Sequence, residues 1–183
     1  MWGLKTLYLD PASPSLYHLS ERLMKGRATM MKLIFRTILL PLISGFFALS
    51  AFAESVIVHK TPWCGCCAHW VEHLREDGFD VTVEETEDLA SVRETLGVPD
   101  QIQSCHTAQV EGYVLEGHVP AAEVRRLLAE RPEATGLAVP GMPMGSPGME
   151  TRFEPDVYDV LLFDSVRASR YATYHGGERV NTD

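Results

Sequence analysis

Three of the four cysteines in this chain fall within four consecutive positions, in Thr61-Pro62-Trp63-Cys64-Gly65-Cys66-Cys67. That bunching limits what can surround it. Before it runs Val56-Ile57-Val58-His59, a short apolar, β-branched run of the kind that makes a buried strand. After it, apolar residues switch to helical spacing at Cys67, Trp70, Val71 and Leu74. The cysteines therefore occupy a turn that leads from a strand into the first turn of a helix. Unpaired backbone N–H groups and the positive end of the helix dipole favour a thiolate there. At about 100° per residue, Cys67 shares the core face with Trp70, Val71 and Leu74. Cys66 falls at the boundary of that face near His73, and Cys64 precedes the helix on the exposed turn. Three sulfurs held this close make either a redox centre or a thiolate metal site.

The spacing serves both chemistries. Cys64 and Cys67 form a C-x-x-C pair, and Trp63-Cys64-Gly65-Cys66-Cys67 resembles the W-C-G-P-C motif of thioredoxins with Cys66 in place of the proline. A third thiol inside the loop competes for the disulfide, whereas a soft metal ion accepts it as a ligand.

The N-terminal third reads as processing signals. Residues 1–29 show no sustained periodicity and are read as an upstream extension of the reading frame. From Met30, a short basic head with Lys32 and Arg36 precedes 17 uncharged residues, 37–53, that end in Ala51-Phe52-Ala53. This is the pattern of a secretory signal peptide over residues 30–53, and the run is short for a membrane span. The mature chain is expected to begin at Glu54 and to need no membrane. Its 130 residues suffice for one domain with a real core. They carry 10 basic and 23 acidic side chains, a net charge of −13, which argues against a nucleic-acid partner. Outside the cytosol, disulfides can persist.

The remainder alternates as an α/β unit. Residues 79–84 alternate like a half-buried strand, and a second helix runs from Asp88 as N-cap to Gly97 as stop, with Leu89, Val92 and Leu96 inward. Strand, helix, strand, helix opens a parallel sheet. Ser104-Cys105-His106 begins a strand that turns at Gly112 into Tyr113-Val114-Leu115, and a third helix spans residues 121–131. The expected architecture is thioredoxin-like, a mixed sheet flanked by helices, with Cys105 facing the cysteine turn as a fourth sulfur ligand. Val98-Pro99 is the candidate for the cis-proline loop of thioredoxins, although it lies six residues before Cys105. Residues 136–150 are too rich in Gly and Pro for regular structure. Met142, Met144 and Met149 within them offer thioethers, soft ligands for Cu(I). Residues 157–163 read as a final strand, followed by a polar tail.

Five segments in one order resemble the domain of unknown function 411 family. They are Trp63-Cys64-Gly65-Cys66-Cys67 with Trp70 and His73, Gly97-Val98-Pro99, Ser104-Cys105-His106-Thr107-Ala108, Glu116-Gly117-His118-Val119-Pro120, and Gly136 to Met142. The family includes CopG-type copper-resistance proteins of the Gram-negative periplasm. The resemblance implies a thioredoxin-like fold, export to the periplasm, and copper held by Cys64, Cys66, Cys67 and Cys105, in company with other copper-handling proteins. The donor chemistry agrees. Thiolates prefer Cu(I) and Zn(II), zinc usually takes two separated ligand pairs, and three sulfurs in four residues bridge several Cu(I) ions more easily than they fill three corners of one tetrahedron.

Among the histidines, His73 and His106 are secondary metal candidates. His106 is expected on the strand face opposite Cys105. His69 reads as solvated, and His118 as a residue of the turn before the third helix. Two functions follow: a copper protein that holds Cu(I) and changes its oxidation state, or a thiol-disulfide oxidoreductase with Cys64 as nucleophile and Cys67 as resolving thiol.

Overall fold

A computed structural model describes residues 53–180. The residues read as an upstream extension, those read as a signal peptide up to residue 52, and the last three residues lie outside that range. The described chain runs β1 (Ser55–Lys60), α1 (Gly65–Glu76), β2 (Asp80–Glu85), α2 (Leu89–Leu96), a 3-10 turn (Asp100–Ile102), β3 (His106–Val110), β4 (Tyr113–Glu116), α3 (Ala121–Glu130), β5 (Gly136–Ala138), β6 (Val157–Phe163), β7 (Ala168–His175) and β8 (Glu178–Val180). No helix among the described residues is long and apolar enough to cross a membrane.

The strands form one mixed sheet in the order β2-β1-β3-β4-β5-β6-β7-β8. β1 pairs in parallel with β2, β3 pairs antiparallel with β1, and β4 antiparallel with β3. The β1-α1-β2-α2-β3-β4-α3 order is compatible with a thioredoxin-like core. α1 buries Cys67, Trp70, Val71 and Leu74 against Val56 and Val58, as its helical spacing requires. Asp88 caps α2 by accepting the Ser91 N–H, and Gly97 ends it in the left-handed region at φ 71°. Glu111 and Gly112, with φ 46° and 89°, make the tight turn of the β3-β4 hairpin.

Three expectations change. Val98-Pro99 is trans and leads into the 3-10 turn. Residues 136–150 contain a strand after all: β5 adds in parallel to β4, and its residues are buried although a glycine opens it. The polar tail is β7 and β8, antiparallel additions beyond β6. Its polarity misleads because its buried polar groups are partnered. Thr173 donates to Asp159 at 2.6 Å, and Tyr174 stacks on Tyr158 with ring centroids 5.7 Å apart while donating to Glu123 of α3 at 2.9 Å.

Gly136 is the joint between the first four strands and this C-terminal extension. A Cβ there would fall on the carbonyl oxygen of Val114. Gly136→Ala is therefore expected to lower the melting temperature by roughly 5 °C or more, through overpacking against backbone that cannot yield. An unchanged melt would show that β4 and β5 do not approach this closely.

Candidate metal centre

Cys64 is the N-cap of α1, its sulfur accepting the Cys67 N–H at 3.3 Å. Cys64 and Cys67 are joined by a disulfide, while Cys66 and Cys105 are free thiols. The sulfur of Cys66 lies 3.6 Å from that of Cys64, and that of Cys67 lies 3.7 Å from the Cys105 carbonyl oxygen. All four sulfurs lie within 4.8 Å of one another. Cys105 thus reaches the C-x-C-C turn, as the sequence led us to expect. Beside Cys64, under the exposed Trp63, a solvent-open groove of about 420 Å³ is lined by Lys60, Glu72 and Arg75 among others.

A buried ion pair holds Cys105 in place. The Glu116 carboxylate, wholly shielded from solvent, accepts from the Ser104 backbone N–H at 2.6 Å, the Thr107 hydroxyl at 2.6 Å and Arg93 Nε at 3.0 Å. Arg93 also donates to the Ser104 carbonyl at 2.6 Å. Both polar groups of the Ser104 backbone are therefore clamped immediately before Cys105. Burial pushes the Glu116 carboxyl up, and the three donors pull it back toward the ionised form. Burial, reinforced by the nearby Cys66 sulfur, pushes the Cys105 thiol up to about 12, so a metal must displace its proton.

On its other side Cys105 meets two histidines. Its sulfur is 3.4 Å from His106 Nδ1 and 3.0 Å from His118 Nε2. Both rings are fully buried, and the two side chains with Cys105 form a second group of convergent donors. His106 was expected on the opposite face of the strand, but Cys105 precedes β3, so alternation does not separate the two. The His106 ring lies 4.3 Å from Trp70, whose indole N–H donates to the Val119 carbonyl at 2.9 Å. The site's roof is the turn at residues 145–149. Gly148, at φ 81°, sits against the start of α1 so closely that a Cβ would come within 2.7 Å of Cys66 O and Trp70 N. His118 Nδ1 donates to the Pro147 carbonyl at 2.7 Å.

Other candidates fall outside these groups. His73 Nε2 accepts the Ala121 N–H at the start of α3, at 3.0 Å. His69 is exposed, as are Met142 and Met144, and Met149 is half-buried in the roof turn. His118, which by sequence resembles a turn residue before a helix, lies instead against the Cys105 sulfur. The signal available was its place in Glu116-Gly117-His118, where the clamp's carboxylate and the second imidazole stand two residues apart.

Comparison with known proteins decides the family. Two solved structures of copper resistance protein copG resemble this chain: form 2 at 45% identity and form 1 at 44%, each with a TM-score of 0.64. The matches cover 67% and 68% of this chain and 99% and 100% of those chains. Residues 102–149 match the family described as protein of unknown function, DUF411. The chain belongs to this family. No curated protein matches it significantly. DUF411 membership draws attention to residues 102–149, the stretch that supplies Cys105, both buried histidines and the roof turn.

Burial keeps the imidazoles neutral. It lowers His106 well below the ordinary value, with the neighbouring His118, Arg93 and Lys60 acting in the same direction and the Gly117 backbone opposing them. Burial also lowers His118 and His73, against smaller opposing effects of the Pro147 carbonyl and Glu150 on the first and of Glu150, Asp77 and Glu76 on the second. The unfolded chain takes up protons near pH 6.5 that the folded chain refuses. This contribution to stability is complete above about pH 6.5 and is lost as the pH falls below it. The metal-free protein should unfold at lower denaturant at about pH 5 than at about pH 7.5, and His106→Gln should reduce the difference. An identical acid loss in the variant would contradict the assignment of a buried neutral His106.

Proposed function

We propose that the reduced protein binds several Cu(I) ions in a sulfur-bridged centre made by Cys64, Cys66, Cys67 and Cys105, and that it serves copper resistance in the periplasm. The observation that carries this reading is the convergence of four sulfurs within 4.8 Å, two of them outside the C-x-x-C disulfide. Disulfide exchange needs only Cys64 and Cys67, so it leaves the arrival of Cys66 and Cys105 unexplained. The similarity to copper resistance protein copG over nearly all of that protein's length supports copper as the soft ion. The secretory pattern of residues 30–53 supports export.

The disulfide links copper to electron transfer. Oxidation of the Cys64 and Cys67 thiols to the disulfide releases two electrons and two protons, enough to convert two Cu(II) to two Cu(I). The disulfide form is then the spent state, and an outside dithiol, itself oxidised to a disulfide, returns the two electrons and two protons that regenerate the Cys64 and Cys67 thiols. A plain thiol-disulfide oxidoreductase remains the second reading, favoured by the same disulfide and by the open groove beside Trp63.

Anaerobic loading of phosphine-reduced protein with Cu(I) should give a copper-to-protein ratio above one, whereas one or less would rule out the multinuclear centre. Cys66→Pro separates the two readings, since proline is tolerated in the first turn of a helix. It is expected to remove most bound copper while leaving or improving disulfide exchange. Full copper stoichiometry in that variant would take away the main support for the metal reading.

A further inference from the structure

The Cys64–Cys67 disulfide uses two of the four sulfurs and leaves the redox chemistry of the other two unassigned. Cys66 and Cys105 are free thiols, each half-buried, and their sulfurs lie within 4.8 Å of each other. Cys66 also stands 3.6 Å from Cys64, but that sulfur is already joined to Cys67, so Cys105 is the thiol left for it. A disulfide needs its sulfurs at about 2.05 Å. Rotamer changes at the two χ1 angles can supply that closure.

The surroundings suit this pairing. Glu116 and Arg93 clamp the Ser104 peptide, so Cys105 presents its sulfur from fixed backbone, and Cys66 turns toward it from the first turn of α1. The Cys105 proton has an acceptor at hand. His118 Nδ1 donates to the Pro147 carbonyl, which leaves the lone pair of Nε2 facing the Cys105 sulfur at 3.0 Å. Neither thiol is wholly buried, so a dissolved oxidant has access to both.

We infer that Cys66 and Cys105 close a second disulfide, and that the reduced protein is therefore a four-electron reductant of Cu(II). Each bridge forms as two S–H bonds break and one S–S bond is made. The two protons pass to water and the two electrons to two Cu(II), which become two Cu(I). The chain with the Cys64–Cys67 bridge alone keeps two thiols, whereas the fully oxidised chain offers copper none. Oxidation thus withdraws the sulfurs from ligation in two equal steps. The inference rests on the copper reading only for the identity of the oxidant.

The test exposes the reduced, metal-free full chain anaerobically to excess Cu(II) with a chromogenic Cu(I) chelator. The Cu(I) formed is counted beside the thiols still open to alkylation in denaturant. The wild type should give about four Cu(I) per chain and no free thiol. Trypsin should then release residues 61–75 covalently joined to residues 94–125. Cys105→Ser should give about two Cu(I). The double variant Cys64→Ser/Cys67→Ser should also give about two, as a monomer with the same peptide link, because only Cys66 is left to make it. About two Cu(I) per wild-type chain, with Cys66 and Cys105 open to alkylation, would overturn the inference. So would a double variant that keeps both thiols or links chain to chain. Should the double variant fail to fold, the wild-type count and peptide link still decide. Diamide, a two-electron thiol oxidant that carries no metal, separates the two readings: if it closes both bridges while Cu(II) yields no Cu(I), the second disulfide stands and the copper reading falls.

Discussion

Antiparallel pairing between β1 and β3 is the constraint on which the site depends. Lys60, the last residue of β1, pairs with His106, the first of β3, so the exit of one strand lies beside the entrance of the other. The chain leaving β1 becomes the C-x-C-C turn, and the chain entering β3 carries Cys105. Two cysteine-bearing segments nearly forty residues apart are thereby set side by side by the same backbone ladder that fills the core with Val56, Val58, Ala108 and Val110. A slip of one residue in this register would exchange the faces of β3 and remove Cys105 from the turn.

Register alone does not fix a side chain that precedes its strand. That is the work of Glu116 and Arg93, which grip the Ser104 peptide from both sides. Burying such a pair gains little stability over apolar packing, but leaving either partner alone is costly, which makes the arrangement nearly all-or-none. The roof turn contributes in the same manner, through backbone. Gly148 permits contact with α1 and Pro147 offers its carbonyl to His118. The polypeptide around the sulfurs is thus organised largely by buried main-chain hydrogen bonds, which suits four sulfurs that must stay in place when the disulfide opens.

Much of this was legible in the sequence because it follows from local rules. The face of α1, the caps Asp88 and Gly97, and the bounds of β6 were all read from periodicity and capping chemistry. The approach of Cys105 followed from strand order. What escaped depended on distant partners. β7 looked like a polar tail because Thr173 and Tyr174 find Asp159 and Glu123 only after folding. β5 is three residues long and opens with a glycine, so propensity argues against it, and close contact with Val114 requires it. For His118 the sequence offered only its place in Glu116-Gly117-His118, because the Pro147 oxygen that orients it lies 29 residues away.

On the proposed reading, these bunched sulfurs hold soft metal and do more than exchange a disulfide. A competition between the reduced protein and a Cu(I) chelator of moderate strength, run beside the disulfide form, decides between metal binding and disulfide exchange alone. The reduced protein should retain copper and the disulfide form surrender it, because two of the four sulfurs are then withdrawn from ligation. Complete loss of copper to the chelator from the reduced protein would contradict it and leave the disulfide chemistry as the function of the site.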